Sequence, residues 1–479
     1  MKENVYPLFA RGCSVGFILW GVTIVFWQSP VLSFCLGALP IIITMVWREN
    51  EFPAFPFALL FQWMQISLGI IWRDLLGIRL SAVDHPAIDQ ACYLGIIGLL
   101  VLGAGLRLGF FLSGKIFKIG QLEYPKEINY SINKVFAIYL VFLLSAPAIA
   151  VASWRVMQIR SILVTVFAFQ HFMVFLLFYL ALVYNQTFFI VGTLLLEIVQ
   201  GMVGYFSGYK TSLLIFAIVA FADLRKLTLR MRYVLLTVLF LLYILSVVWQ
   251  AVKPELREAF AEGTISLNTS FEQKVQFVYK LAEKIFKGDY APSLGARNEK
   301  VYDLINRVSS IYYFACTLDR IPSEFPHEGG NLLKSSLTHI VTPRLFFPEK
   351  PGLRSDSWMV RTYAGVEVAD EEQETNIALG YLVEDYIDFG IPDMFLPVFI
   401  MGIIVAILYR FIFKIAVNLI IANLLSASVF FFNFYLFEKA NIKMFGGFLA
   451  DYIVCIVTLM LFQKQFVKFI TKKEYPHIT

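Results

Sequence analysis

Residues 91–113 read ACYLGIIGLLVLGAGLRLGFFLS. The run is continuous and apolar, with Arg107 as its one charged residue. As an α-helix it is long enough to cross a hydrocarbon core about 30 Å thick at about 1.5 Å per residue. Similar runs recur on both sides of it. Working outward, the apolar runs predict twelve spans: 7–27, 31–47, 54–72, 91–113, 135–154, 161–184, 187–206, 211–222, 233–250, 394–409, 415–437 and 445–462. The eighth is short and borrows from its flanks.

Composition agrees with this reading. Hydrophobic residues make up 58% of the 479-residue chain and charged residues 16%, against about 25% charged in soluble domains. The runs do not alternate apolar and polar in short pieces, which excludes an outer-membrane barrel pattern. The first run is span-length and lacks a small-x-small cleavage site, so it is expected to be a span and not a removed signal. Cys13, Cys35, Cys92 and Cys455 fall in or beside apolar runs, and Cys316 lies in polar sequence. That distribution suggests neither a disulfide framework nor a metal cage.

Basic residues orient the chain. The connection DLRKLTLRMR, 223–232, is the most basic short one and is expected on the cytoplasmic side. Counting spans from it places both termini and the basic tail, 464–473, on that side too. The polar segment between the ninth and tenth spans then lies outside, far longer than an ordinary connection. The expected organisation is residues 1–250 with nine spans, 251–390 as a large external domain containing helices, and 391–479 with three spans and the tail. Within the external segment, 271–287 has helical spacing with a lysine-rich face, 301–315 reads as a second helix, and EGGNLLKSSLTHIV reads as a helix ending before Pro343.

The external segment carries a charge pattern that topology does not require. Residues 337–361, LTHIVTPRLFFPEKPGLRSDSWMVR, interleave Arg344, Lys350, Arg354 and Arg361 with Pro343, Pro348 and Pro351. Arg155 and Arg160 lie between spans five and six, Lys210 precedes span eight, and Arg320 lies earlier in the segment. Guanidinium groups present a planar fork suited to phosphate oxygens, and lysine acts as a point charge. These cations point to a phosphate or diphosphate ligand; the alternative is pairing with local carboxylates or lipid headgroups. A second stretch, ETNIALGYLVEDYIDFG (374–390), sets Glu384, Asp385 and Asp388 just before span ten. As a helix it places Glu384 and Asp388 on one face and points Asp385 elsewhere. A carboxyl partly withdrawn from water can act as a general base, and Glu384 is the candidate, with Asp388 second. Glu197, His171 and Asp451 are ionisable groups inside spans. His85, near Asp84 and Asp89, is the one feature reminiscent of a metal ligand. No Walker A loop, GxGxxG, HExxH or CxxC pair is present, and no nucleotide cofactor, metal or nucleic-acid partner is expected.

Taken together, the span count, the late external loop, TPRLFFPEKP and GYLVEDYIDFG resemble the bacterial oligosaccharide repeat-unit polymerases, the Wzy-type O-antigen polymerases. Arg344, Pro348, Lys350 and Pro351 match that family's first motif, and Gly380, Glu384, Tyr386 and Gly390 its second. SGYKTSLL, 207–214, is similar to its Gly-x-Lys/Arg step before a span. The resemblance implies an all-helical, GT-C-like glycosyltransferase of the inner membrane, acting without metal. Its substrate would be an undecaprenyl-diphosphate-linked oligosaccharide, whose glycan passes to the terminal sugar of another lipid-linked unit at the outer face. A chain-length regulator and a flippase of the same pathway would be partners. Arg344, Arg354 and Arg361, with Arg155 or Arg160, would hold the diphosphate, and Glu384 would sit near the acceptor. The O-antigen ligases share this donor and lean on an external histidine, for which His339 and His327 are available. A transporter that flips lipid-linked oligosaccharide or exports polymer is a second alternative, disfavoured because nearly all charges lie at span ends, and a scaffold of an envelope assembly complex is a third.

Overall fold

The computed structural model describes residues 5–117 apart from 50 and 79, 129–155, 160–203, 209–222, 227–261, a few positions between 272 and 283, 302, and 304–472 apart from 343–345, 348 and 369–376. It shows an all-α membrane protein. The described helices are, in order, α1 (Val5–Trp27), α2 (Pro30–Val46), α3 (Ala54–Leu76), α4 (Ile88–Phe117), α5 (Ile132–Arg155), α6 (Arg160–Val183), α7 (Thr187–Val203), α8 (Tyr209–Ala222), α9 (Leu229–Ala261), α10 (Tyr312–Arg320), α11 (Asn331–Val341), α12 (Asp356–Met359, continued by a π-helical turn, Val360–Ala364), α13 (Tyr381–Phe389), α14 (Phe395–Ile415), α15 (Leu419–Phe434) and α16 (Asn441–Ile470). Six of the described helices have a stretch long and apolar enough to cross a membrane: α1, α3, α4, α9, α14 and α16. Shorter apolar helices occupy the remaining runs, among them Pro30–Val46, Phe169–Val183, Lys210–Ala222 and Leu419–Phe434.

Local chemistry sets several boundaries. Ser29 caps α2, its hydroxyl accepting from the amide of Leu32, and Pro30 follows at the first helical position. Gly77 closes α3 in the left-handed region. Asn418 starts α15 by accepting from the amide of Ile421. The stretch 301–315, expected as one helix, is interrupted before α10. There the Ser310 amide donates to Gln65 O (3.0 Å) and its hydroxyl bonds Glu438 Oε2 (3.1 Å), so these side and main chains bind neighbouring elements in place of extending a helix. The expected lysine-faced helix, 271–287, lies largely outside the described residues.

The chain divides into two compact units. The first contains residues 1–122, 305–415 and 429–453, and so joins α1–α4 and α14 with the described external segment. In lipid there is little hydrophobic drive between helices, so close approach through small residues matters more. α4 and α14 meet through Gly105, Gly109 and Gly402. A Cβ on Gly105 would stand 2.3 Å from Phe399 O, one on Gly109 2.5 Å from Ile403 O, and one on Gly402 2.7 Å from Leu102 O. At one end of this bundle Glu51 lies between Arg48 (3.0 Å) and Arg410 (2.6 Å). At the opposite end, beyond α3 and before α4, Asn306 Oδ1 accepts from the Ala82 amide (3.2 Å), and His85 pairs with Asp319 (3.3 Å). The second unit contains residues 123–304, 416–428 and 454–479, with α5 against α6 and α8 between α7 and α9. In it Glu197 accepts from Tyr139 Oη (2.9 Å) and Gln170 Nε2 (2.8 Å).

Gly105→Leu or Gly402→Leu is expected to lower stability by about 1–3 kcal/mol or more through overpacking against backbone. Gly114→Leu, at a position with open space, should change little. Thermal unfolding of the purified variants in detergent checks this; equal midpoints for all three would contradict the packing described.

Candidate functional site

The first unit gathers its buried carboxyls where α13 meets the start of α16. Glycine makes that meeting possible. Gly380, at φ +106°, begins α13, and a Cβ there would stand 2.5 Å from Phe437 O. The Tyr381 amide donates to Lys439 O (2.9 Å), and Tyr381 Oη reaches Gln62 Oε1 (2.9 Å) on α3. α13 is thus tied to the connection preceding α16 and to the interior of α3. Leu382 packs at the place where a Cβ on Gly98 of α4 would fall, 2.6 Å away.

Glu384 and Asp385 are held by one residue. Glu384 Oε2 accepts from the backbone amide of Asn441 (2.9 Å), and Asp385 Oδ1 accepts from its side-chain amide (3.1 Å). Asn441 opens α16, where unsatisfied N–H groups favour acceptors. Glu384 is 7% exposed and Asp385 2%. Burial pushes the Glu384 carboxyl up to about 8, with the Asn441 amide opposing and Asp356, Asp385 and Asp388 adding repulsion. Burial likewise pushes Asp385 up to about 8. Around this pair, Lys443 forms an ion pair with Asp356, the first residue of α12. Lys439 Nζ donates to Asn433 O (3.4 Å) and Oδ1 (3.2 Å), and Asn433 Nδ2 donates to Asp451 Oδ2 (2.7 Å). Burial brings the Lys439 amine down to about 8.

Glu384 and Asp388, expected on one face of the helix, take different partners. Asp388 turns to α11, where its two oxygens accept from the amides of Leu332 (3.0 Å) and Leu333 (2.8 Å). It is an N-terminal cap for that helix. Asp385, expected to point elsewhere, shares Asn441 with Glu384. The i, i+4 geometry holds, but the strongest donors available to each carboxyl lie on different helices.

Of the expected cations, three gather around α12 and its π-helical turn. Arg354 lies over the Trp358 ring (4.2 Å to its centre) and its Nη1 is 3.5 Å from Tyr363 Oη. Tyr363 in turn donates to Glu328 Oε1 (2.5 Å). Arg354 has no carboxylate partner among the described residues. Arg320 Nη1 donates to Arg361 O (3.4 Å), its Nη2 pairs with Glu324 Oε2 (2.6 Å), and Arg361 Nη1 reaches Val368 O (3.5 Å). Arg354 and the Lys443–Asp356 pair are two residues apart in sequence, which connects the arginines to the carboxyl pair through α12. Lys350 does something different: its Nζ donates to His339 O (2.9 Å) and Thr342 O (2.7 Å), closing the end of α11. Arg344 lies outside the described residues. Arg155 ends α5 and Arg160 begins α6, with their side chains outside the described residues, and Lys210 lies in the first turn of α8. These three belong to the second unit. His327 Nδ1 is bonded to Tyr386 O (3.1 Å) and Ile387 O (3.3 Å), a structural placement. His85 meets Asp319 and Asp89 meets Arg73 (2.8 Å). No three His, Cys, Asp or Glu side chains form a metal-ligand set among the described residues.

Asp356, Lys439, Asn441 and Lys443 were not singled out from sequence. For the last three the signal was the polar connection EKANIK, 438–443, which the span count places on the same side as the external segment.

A family model for a domain of unknown function, DUF8712, matches residues 111–474, and the chain belongs to that family. No curated protein and no solved structure matches it.

The pH dependence of stability follows from these groups. Folded Glu384 and Asp385 keep their protons to about pH 8, whereas their ordinary values are 4.5 and 3.8. Between those limits the folded state binds more protons, so stability falls as pH rises toward 8. Lys439 releases its proton near 8 when folded and near 10.5 when unfolded. The unfolded state then binds more protons, so stability recovers above 8. Thermal midpoints measured from pH 5 to 10 should show a minimum near 8, and Glu384→Gln with Asp385→Asn should flatten its acidic limb. A wild-type profile rising steadily from pH 5 to 8 would contradict the assignment.

Proposed function

We propose that this member of the DUF8712 family is a polytopic glycosyltransferase that polymerises lipid-diphosphate-linked oligosaccharide repeat units. The observation that carries the proposal is the buried Glu384–Asp385 pair at the start of α16, joined through Asp356 and α12 to the Arg354 region. Glycosyl transfer from such a donor needs two things of a protein. Negative charge on the departing diphosphate must be stabilised, and a proton must leave the acceptor hydroxyl.

In this reading Arg354, with Arg320 and Arg361 beside it, binds diphosphate oxygens. Arg354 suits that task because it is held against Trp358 and Tyr363 while no carboxylate neutralises it among the described residues. The acceptor oxygen attacks the anomeric carbon, the bond from that carbon to the diphosphate oxygen breaks, and the hydroxyl proton passes to Glu384. A carboxyl with its pKa near 8 is a stronger base than an exposed one and acts through its ionised fraction, so transfer is expected to quicken as pH rises toward 8. Asp385 and Asn441 position Glu384. Arg344 and Lys350 belong to the same external segment, Lys350 by closing α11.

The topology that accompanies this reading has twelve spans, both termini in the cytoplasm, and the inner membrane of a bacterium as its site, with a GT-C-like arrangement. Its support is that the described apolar runs are helical and that, at one end of the first unit, Ala82 bonds Asn306, His85 pairs with Asp319, Ser310 bonds Glu438 and Asn441 bonds Glu384. The basic connection 223–232 marks the cytoplasmic side.

The test is incubation of the purified protein with a lipid-diphosphate repeat unit, with and without chelator, followed by separation of products. A ladder of increasing length is expected. Glu384→Gln should reduce it by about 100-fold or more, and Arg354→Ala should weaken donor use. Transfer only onto a lipid A-core acceptor would instead mark a ligase. A full ladder from Glu384→Gln at normal protein levels would discard the role given to that residue.

A further inference from the structure

A second site lies apart from these residues, within the second unit. α7, α8 and α9 enclose a groove of 590 Å³, within the range of about 300–1,000 Å³ typical of small-molecule sites. Its floor is apolar and buried, formed by Leu194, Leu213 and Val238. The α9 wall recurs at helical spacing from Arg230 to Leu241. That face is about 16 Å long at 1.5 Å per residue, about half the thickness of a hydrocarbon core. The groove therefore has the length of one leaflet.

Its single charged lining residue stands at one extremity. Arg230 is exposed, at the start of α9, and has no ion-pair or hydrogen-bond partner among the described residues. Tyr233 follows one turn on, an aromatic suited to the headgroup level. The flanking sequence RKLTLRMR, 225–232, is strongly basic. A cation at the polar end and an apolar trough of leaflet depth together describe the two ends of one molecule.

We infer that this groove binds an anionic glycerophospholipid of the surrounding bilayer, one acyl chain lying along α7 and α9 and the phosphate against Arg230. The lipid is held by chain burial and selected by charge. A zwitterionic lipid enters the same trough but carries its own cation, so Arg230 gains less from it. The site does not depend on the glycosyltransferase reading.

Native mass spectrometry of the full-length protein, titrated with phosphatidylglycerol or phosphatidylcholine, tests it. Wild type should retain phosphatidylglycerol at least tenfold better. Arg230→Gln should bring the two lipids to equal retention, Arg230→Lys should restore much of the preference, and Leu194→Trp should reduce both. Glycerol 3-phosphate should not displace the bound lipid. Because Arg230 is exposed, the glutamine and lysine variants test the charge without disturbing the core, whatever the tryptophan variant does to folding. Equal retention of both lipids by wild type, or an unchanged preference in Arg230→Gln, overturns the proposal. Displacement by glycerol 3-phosphate, or a lipid-free dimer abolished by Leu194→Trp, would overturn it in favour of a soluble phosphate or a second copy of the chain.

Discussion

A carboxyl group taken out of water must find a cation, find hydrogen-bond donors, or keep its proton. The first unit shows different answers at its two ends. Glu51 lies between Arg48 and Arg410, and although burial opposes ionisation, the two guanidinium groups hold its pKa below the ordinary value. Glu384 and Asp385 have no such cation in contact among the described residues. Asn441 gives each of them one N–H, which satisfies an oxygen without neutralising a charge. Their protons are consequently retained to about pH 8. The first arrangement fixes an ionised group as structure; the second keeps a proton on each carboxyl until the pH approaches 8.

This difference depends on backbone packing. α13 reaches Asn441 only because Gly380 lets the chain pass against Phe437 O, and because Gly98 leaves room for Leu382. α14, which follows α13, is pressed against α4 at Gly105, Gly109 and Gly402. Without water to drive helix association, such contacts rely on close fit. A shift of α14 along α4 would carry α13 with it and separate Glu384 from its donor. Small residues buried in the bundle thus set the position of charged residues at its end.

Much of the helical framework was legible in the sequence because lipid imposes a simple rule: long apolar runs must satisfy their backbone internally. The runs around residues 91–113 and 394–409 became α4 and α14 for that reason. The interruption at Ser310 was not legible, since it depends on Gln65 and Glu438, far away in sequence. Around the candidate site, Glu384 could be picked out as an acid entering the membrane boundary. The exchange of roles between Asp385 and Asp388 could not. Periodicity gives the direction of a side chain from its helix, but the direction of its hydrogen bond is decided by which amides another helix presents. Here α11 offers the amides of its first turn to Asp388, while Asn441 at the start of α16 offers its backbone amide to Glu384 and its side-chain amide to Asp385.

The arginines illustrate the same limit. Equal charge in the sequence hides unequal circumstances. Lys350 spends its donors on the carbonyls that end α11, and Arg320 is engaged by Glu324 and by the main chain at Arg361. Arg354 instead lies over the Trp358 ring beside Tyr363. Stacking restricts a guanidinium without reducing its charge. A cation held in this way has lost much of its conformational entropy before any anion arrives, so less is lost on binding. On the proposed reading, that makes Arg354 the strongest of the expected phosphate ligands among the described residues, and it assigns to Tyr363 and Glu328 the task of keeping it in place.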